Sequence, residues 1–285
     1  MRRLQLSHKF SVVTIVKGRH QQLANLIHSI ENSTLRPTDM VVVWMDEKNS
    51  HNVTPSTSFL NKNVYMQSIG LPLAKARNTG VKNAQQNNVI FIDVDCICSP
   101  TLFENLLTKL THKLVVSAKA KYLPYVPCNG NYELLVEEAV DHPKRKNLPI
   151  NENVDFLTFW SLIFAINKRD FNKVNGFDEQ FIGYGAEDTD FAMQCKVNNI
   201  KLNYIDDWVL HQYHDKFTPP INYAEDICNN ANTFAKKWQF LPMFGWLKKM
   251  AVMDIVKIDE KSHSVKFLKK PTRDEIEACR STSPY

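Results

Sequence analysis

Seven residues, Phe10 to Val16 (FSVVTIV), form a short apolar run of the length and β-branched content expected of a buried strand. The stretch Gln21 to Glu31 then changes to a helical spacing, and MVVVWM, Met40 to Met45, returns to a strand-like run. A loop containing Pro55, the strand NVYMQS, a helix over Ala74 to Gln86 and the strand NVIFIDV complete the first third. Strands alternating with helices predict an α/β fold, a mostly parallel central sheet with helices on its faces. Such sheets bind ligands at the carboxyl ends of their strands. Asp46, after one strand, and Asp93 with Asp95, ending another, are therefore expected in one crevice.

Beyond Pro100 the pattern predicts a helix to about His112, the strand KLVVSAKA and a long irregular segment, Tyr122 to Asp155, with four prolines. A loop of that length reads as a functional lid or as disorder. FLTFWSLIFAINK reads as a strand, and a helix is expected to start near Glu187 after a flexible Gly183-Tyr184-Gly185 segment. Two short strands are predicted around LNYIDDWVLHQYH, then a helix from about Tyr223 to Trp238. The aromatic stretch FLPMFGWLKKM follows, and either closes over a site, packs under the sheet or rests on a membrane surface through Lys248 and Lys249. The pattern contains no internal repeat.

Composition narrows the partners. At 285 residues and 44% hydrophobic content the chain can bury a sizeable core. Its 35 basic and 30 acidic side chains leave a net charge of +5, which suits an anionic partner such as a nucleotide without demanding one. The basic residues are scattered, Lys144-Arg145-Lys146 apart, and no nucleic-acid-binding pattern occurs, so nucleic acid is not expected. Six cysteines form no C-x-x-C pair. The first twenty residues lack the features of a signal peptide, and no apolar stretch approaches the roughly 18 residues that span a bilayer. A reduced, cytoplasmic protein is expected, with any membrane contact peripheral.

The candidate chemistry is acidic. In an extended strand Asp93 and Asp95 point to one side, and like charges that close are costly unless a cation sits between them or one is protonated. Divalent ions take such carboxylates together with substrate phosphates. A D-x-D also begins phosphatases of the haloacid dehalogenase type, although there it ends the first strand, and two solvated aspartates are the plain alternative. Further along, Glu187, Asp188 and Asp190 place three carboxylates in four residues, more than helix capping requires. His211 and His214 stand at a strand end.

VVTIVKGRHQQL, LPLAKARNTG, FIDVDCICSP, FDEQFIGYGAEDTDF, VLHQYH and NNANTFAKKW together resemble nucleotide-sugar glycosyltransferases of the GT-A fold, family 2. Phe159 to His214 is similar to the galactosyltransferase module of β-1,4-galactosyltransferases and chondroitin-type polymerases. The resemblance covers roughly residues 8 to 250. It implies one GT-A catalytic domain over residues 1–250, with a Rossmann-like nucleotide-binding half, 8–118, an acceptor half, 119–250, and a tail, 251–285. It further implies that Asp93 and Asp95 bind Mn2+, with Mg2+ the alternative ion, and through it the diphosphate of a UDP-sugar. His211 completes the metal shell and His214 is the second candidate. An imidazole beside carboxylates favours manganese. Lys17, Arg19, Asp46 and Arg77 fall where the family holds the nucleotide, and Asn78 with Gly80 shapes that helix.

The same resemblance implies Asp188 as general base, Glu187 on donor-sugar hydroxyls, and inverting transfer of a hexose or N-acetylhexosamine to a glycan or lipid-linked glycan, as in surface polysaccharide synthesis. Trp160 and Tyr184 offer aromatic faces to a sugar ring. The sequence departs from the pattern at WMDEKNS, with one aspartate before a glutamate, and at Tyr184 and Ala186, where galactosyltransferases carry tryptophan and glycine. These departures bear on base contacts and sugar identity more than on the reaction class. A catalytically silent carbohydrate- or nucleotide-binding protein on the same fold is the alternative from another class.

Overall fold

The computed structural model describes residues 9–49, 51–67, 70–143 and 145–285. The signal-peptide reading of residues 1–8, the end of NVYMQS at Ser68 and Lys144 of the basic cluster lie outside the described residues.

β1 (Phe10–Val16), α1 (His20–Glu31), β2 (Asp39–Trp44), β3 (Leu60–Tyr65), α2 (Leu73–Asn83) and β4 (Asn88–Ile92) follow in the order the apolar pattern predicts. β3, β2, β1 and β4 lie side by side, and each neighbouring pair is parallel. Parallel strands covered on both faces can be apolar throughout, and the two-residue period then sorts the side chains between two cores. Phe10, Val12 and Val16 pack with Leu23 and Leu26 of α1, whereas Val13 and Ile15 pack with Ala76 and Val81 of α2. Gly80 lets α2 approach, since a Cβ there would lie 2.2 Å from Val13 Cγ1.

The remaining elements are β5 (Cys96–Cys98), α3 (Leu102–Lys109), β6 (Leu114–Tyr122), α4 (Tyr132–Leu135), β7 (Val140–Asp141), β8 (Ile163–Asn167), α5 (Lys168–Lys173), α6 (Glu187–Val197), β9 (Lys201–His211), α7 (Ala224–Trp238), α8 (Phe244–Val252), β10 (Val256–Asp259), β11 (Ser264–Phe267) and α9 (Arg273–Ala278). The sheet runs β3-β2-β1-β4-β8-β6-β9-β5, with β7 beside β6. β8 is antiparallel to both β4 and β6, β9 is parallel to β6, and β5 is antiparallel to β9. The parallel first half thus continues into a mixed second half. Phenylalanines 91, 164, 177 and 191 tie β4 and β8 to α6, with Phe91 on Phe164 and Phe177 on Phe191 both at 4.4 Å.

Four segments differ from the sequence expectation. LNYIDDWVLH is a single strand, because Asp207, which interrupts the apolar run, is buried and accepts hydrogen bonds from Ser99, Thr101 (2.9 Å) and Asn105 (2.7 Å). Only Ile163–Asn167 of FLTFWSLIFAINK is strand; Phe156–Thr158 is one helical turn capped by Asp155. The 122–155 segment contains α4 and β7. Gly183-Tyr184-Gly185 is pinned, not flexible: Asn230 Nδ2 on α7 donates to the carbonyls of Ile182, Tyr184 and Gly185 at 3.0, 3.3 and 2.9 Å. Residues 251–285 fold back as the β10-β11 hairpin and α9, and their apolar side chains share a core with α7 and α8.

Candidate active site

The first acidic centre forms where β4 runs out. Asp93 to Cys96 make a tight turn, closed by the Cys96 amide on the Asp93 carbonyl at 3.0 Å, and not the extended strand that the sequence suggested. The turn gives the two carboxylates different partners. Asp95 is 1% exposed and is reached from β9, because Cys96 pairs with His211 across the antiparallel β5-β9 ladder. His211 Nε2 lies 3.3 Å from Asp95 Oδ1, and His214 Nε2 lies 3.7 Å from Asp95 Oδ2. Ligand atoms of Asp95, His211 and His214 all fall within 4.8 Å of one another.

The donor set fits a metal ion. Asp95 Oδ1 and His211 Nδ1 are buried without a hydrogen-bond partner, although a buried polar atom ordinarily has one. One carboxylate with two imidazoles matches a first-row transition ion better than an all-oxygen ion. Burial pushes His211 down to about 4, so at pH 7 the ring is neutral, with one nitrogen protonated and the other free to accept a hydrogen bond or ligate an ion. Burial lowers His214 as well. Burial alone would raise Asp95, but His211, Arg19 and His214 around it bring its carboxyl below the ordinary value. Arg19 reaches the same carboxylate and contacts Asp95 Oδ2 directly.

The second centre sits on α6, and α2 holds it. Arg77 is 5% exposed, donates to Glu187 Oε1 at 3.0 Å and lies 3.7 Å from Asp93 Oδ1. Its guanidinium also covers the Phe177 ring at 5.2 Å. Burial works against that charge, yet Glu187, Asp93 and Asp188 together raise the Arg77 pKa. Burial raises Asp93 to about 7 against the pull of Arg77. Burial raises Asp188 too, in spite of Arg77 and of the Thr189 amide, which donates to its Oδ1 at 2.7 Å. Glu187 is raised by burial and by Asp188, with Arg77 opposing.

Lys17 and Arg19 follow β1, and Asp46 follows β2, so the parallel strands deliver all three to the edge of the sheet where β4 ends. Lys17 Nζ donates to the Gly70 carbonyl at 2.8 Å. The two aromatic candidates fall in separate groups. Tyr184 stacks on Tyr223 at 4.7 Å, with Trp246 of α8 at 6.2 Å. Trp160 lies over the Arg145 guanidinium at 3.7 Å and meets the edge of His142 at 5.1 Å. FLPMFGWLKKM therefore packs beside the acidic loop. Among the described residues no helix is long and apolar enough to cross a membrane.

Residues 32–223 match the model of the family described as "Glycosyltransferase like family 2". The chain belongs to this family. It is 24% identical over 265 residues to a validoxylamine A glucosyltransferase of Streptomyces hygroscopicus subsp. limoneus, covering 83% of this chain and 58% of that protein. A second such enzyme, from subspecies jinggangensis, is 25% identical over 209 residues and is covered for 49% of its length. The chain thus spans about half the length of the curated relatives it matches. Among solved structures, Staphylococcus aureus TarS with UDP-GlcNAc gives a TM-score of 0.54 at 15% identity, over 86% of this chain and 77% of that one. The mannosyltransferase PcManGT of Pyrobaculum calidifontis, with GDP-Man and Mn2+, gives 0.54 at 12% identity, over 80% and 64%. At such identities the likeness is one of fold, and the fold is GT-A.

Two residues packed near this candidate site carried no sequence signal. Arg145, from a basic cluster that reads as solvated, is 8% exposed and donates to the Thr158 carbonyl at 2.6 Å. Tyr122 packs on His211 with ring centroids 5.0 Å apart. Asn230, which fixes the loop before Glu187, lies in the NNANTFAKKW stretch that carries part of the resemblance, but the sequence does not assign it that contact.

Proposed function

We propose that this family 2 chain is a metal-dependent, inverting glycosyltransferase. It moves a hexose or N-acetylhexosamine from a UDP-sugar to a glycan hydroxyl in surface polysaccharide synthesis. The observation that carries the reading is a pair of unlike acidic centres joined by one arginine. Asp95 sits in a cluster with two histidines, while Arg77 bridges Asp93 beside that cluster to Glu187, next to Asp188.

Asp95, His211 and His214, with Asp93 adjoining, would hold Mn2+, which when bound neutralises charge developing on the departing nucleoside diphosphate. Lys17, Arg19 and Asp46 receive the nucleotide in the 8–118 half, and the 119–250 half takes the acceptor. Glu187, fixed by Arg77, accepts a hydroxyl of the donor sugar. Asp188 takes the proton of the acceptor hydroxyl as its oxygen attacks the anomeric carbon. Burial raises its proton affinity, which suits a general base working near neutral pH. Attack from the face opposite the leaving group inverts the anomeric centre. Trp160 and Tyr184 supply flat apolar faces for sugar rings.

The test is nucleoside diphosphate release from a panel of UDP- and GDP-sugars, glucose donors included, with Mn2+, with Mg2+ and with EDTA. The expected result is turnover of a UDP-sugar that EDTA abolishes. Turnover unaffected by EDTA, or release of free phosphate without sugar transfer, would overturn the reading.

A further inference from the structure

Arg19 combines three properties that simple capping of α1 does not explain. Its backbone lies in the left-handed region at φ +57°, directly after Gly18 at φ +62°. A non-glycine residue stays there only when its surroundings hold it. Its side chain makes no cap hydrogen bond to α1, and reaches instead to Asp95, so the strained turn serves the contact with that carboxylate. The contact is asymmetric, since the Asp95 side chain is 2% exposed and that of Arg19 is 36% exposed.

The guanidinium meets Oδ2, the oxygen that also lies 3.7 Å from His214 Nε2. An ion ligated by Asp95, His211 and His214 must approach the same carboxylate, and a buried carboxylate does not hold a guanidinium and a dication at full strength together, because the two cations repel each other. Lys216 and Asp95's neighbours Asp93 and Arg77 are the other charged groups facing this cluster, and Arg77 is already committed to Glu187.

Building on the metal-dependent reading above, we infer that Arg19 is a resident counter-ion of Asp95 that competes with the divalent ion, so that metal binds by displacing the guanidinium. Metal affinity in the absence of nucleotide is then held down by the chain itself. The displaced side chain, already partly in solvent, becomes available to an anion that arrives with the metal.

Titration of the full chain with MnCl2, read by calorimetry and by the electron paramagnetic resonance of free Mn2+, tests this without any turnover. Arg19→Ala is expected to bind Mn2+ alone more tightly than wild type by about threefold or more, the scale set by a half-exposed ion pair. Arg19→Lys, which retains the charge, is expected to stay within about twofold of wild type. If Arg19→Ala folds poorly, Arg19→Met keeps the aliphatic stem and gives the same prediction. Equal or weaker Mn2+ binding by the charge-free variants overturns the inference while leaving the metal site intact. No Mn2+ binding by wild type or variants removes the metal reading itself, and this inference with it.

Discussion

Asp95 and Asp188 are the same chemical group in two environments, and the environments push them in opposite directions. Asp95 lies against Arg19 and two histidines and is held ionised, below its ordinary pKa. Asp188 stands at the start of α6 with its neighbour Glu187 taking the direct contact of Arg77, and burial raises it. A carboxylate that must ligate a cation gains from the first setting, and one that must take a proton gains from the second. On the proposed reading, the role of each carboxylate follows from which cation reaches it first.

The sharpest way to break that contrast is Asp188→Asn. Transfer is expected to fall by about a thousandfold, the scale of general-base removal, while UDP affinity in Mn2+ changes by less than about twofold. Turnover assays and calorimetry on one preparation check this, and a matching loss of UDP affinity would dissolve the division of labour. Arg77→Met removes the cation between the two centres and leaves the buried Glu187 and the half-buried Asp93 without it. A loss of about 3 kcal/mol in unfolding free energy is expected, read by urea denaturation; a variant as stable as wild type would show the bridge to be incidental.

Asp95→Asn should weaken Mn2+ binding by at least about tenfold, since even outer-shell partners of a metal typically matter that much. Calorimetry with MnCl2 measures it, and unchanged affinity would move the ion elsewhere. The smallest effect concerns Asp93, whose folded pKa of about 7 stands above the ordinary 3.8. A raised carboxyl pKa favours the folded state at low pH and loses that advantage as pH rises from 3.8 towards 7. Asp93→Asn is therefore expected to unfold at a temperature about 2 °C higher than wild type at pH 8 in EDTA, with the gap narrowing as pH falls through 7 and closing towards 3.8. A gap that widens on acidification would reverse the assignment.

Much of this site was legible in the chain, and the limits are instructive. The three carboxylates of AEDTD and the D-x-D stand out because acidic clusters after apolar runs are improbable as packing. His211 and His214 stand out only as a pair at a strand end. Their meeting with Asp95 depends on the antiparallel β5-β9 pairing, over a separation of more than a hundred residues, and β5 is a three-residue strand with no periodicity of its own. Arg145 shows the opposite failure: a basic residue between two lysines reads as solvated, yet the aromatic rings of Trp160 and Tyr204 and the Thr158 carbonyl bury it. Asn230 lies in a stretch that carries the resemblance, but its contacts cannot be read, because its three carbonyl partners become neighbours only after α7 docks.

The sequence by itself determined the alternation of strands and helices, the parallel first half of the sheet and the acidic character of its carboxyl edge. Period and apolar content act locally and need no partner to be read. Tertiary structure alone decided that Asp93 and Asp95 meet different partners at a turn, that Arg19 contacts Asp95 while Arg77 lies beside Asp93, and that Asp95 and Asp188 differ in proton affinity. Those outcomes depend on burial and on charges brought together from distant segments, and Coulomb interactions follow distance in space, not separation along the chain.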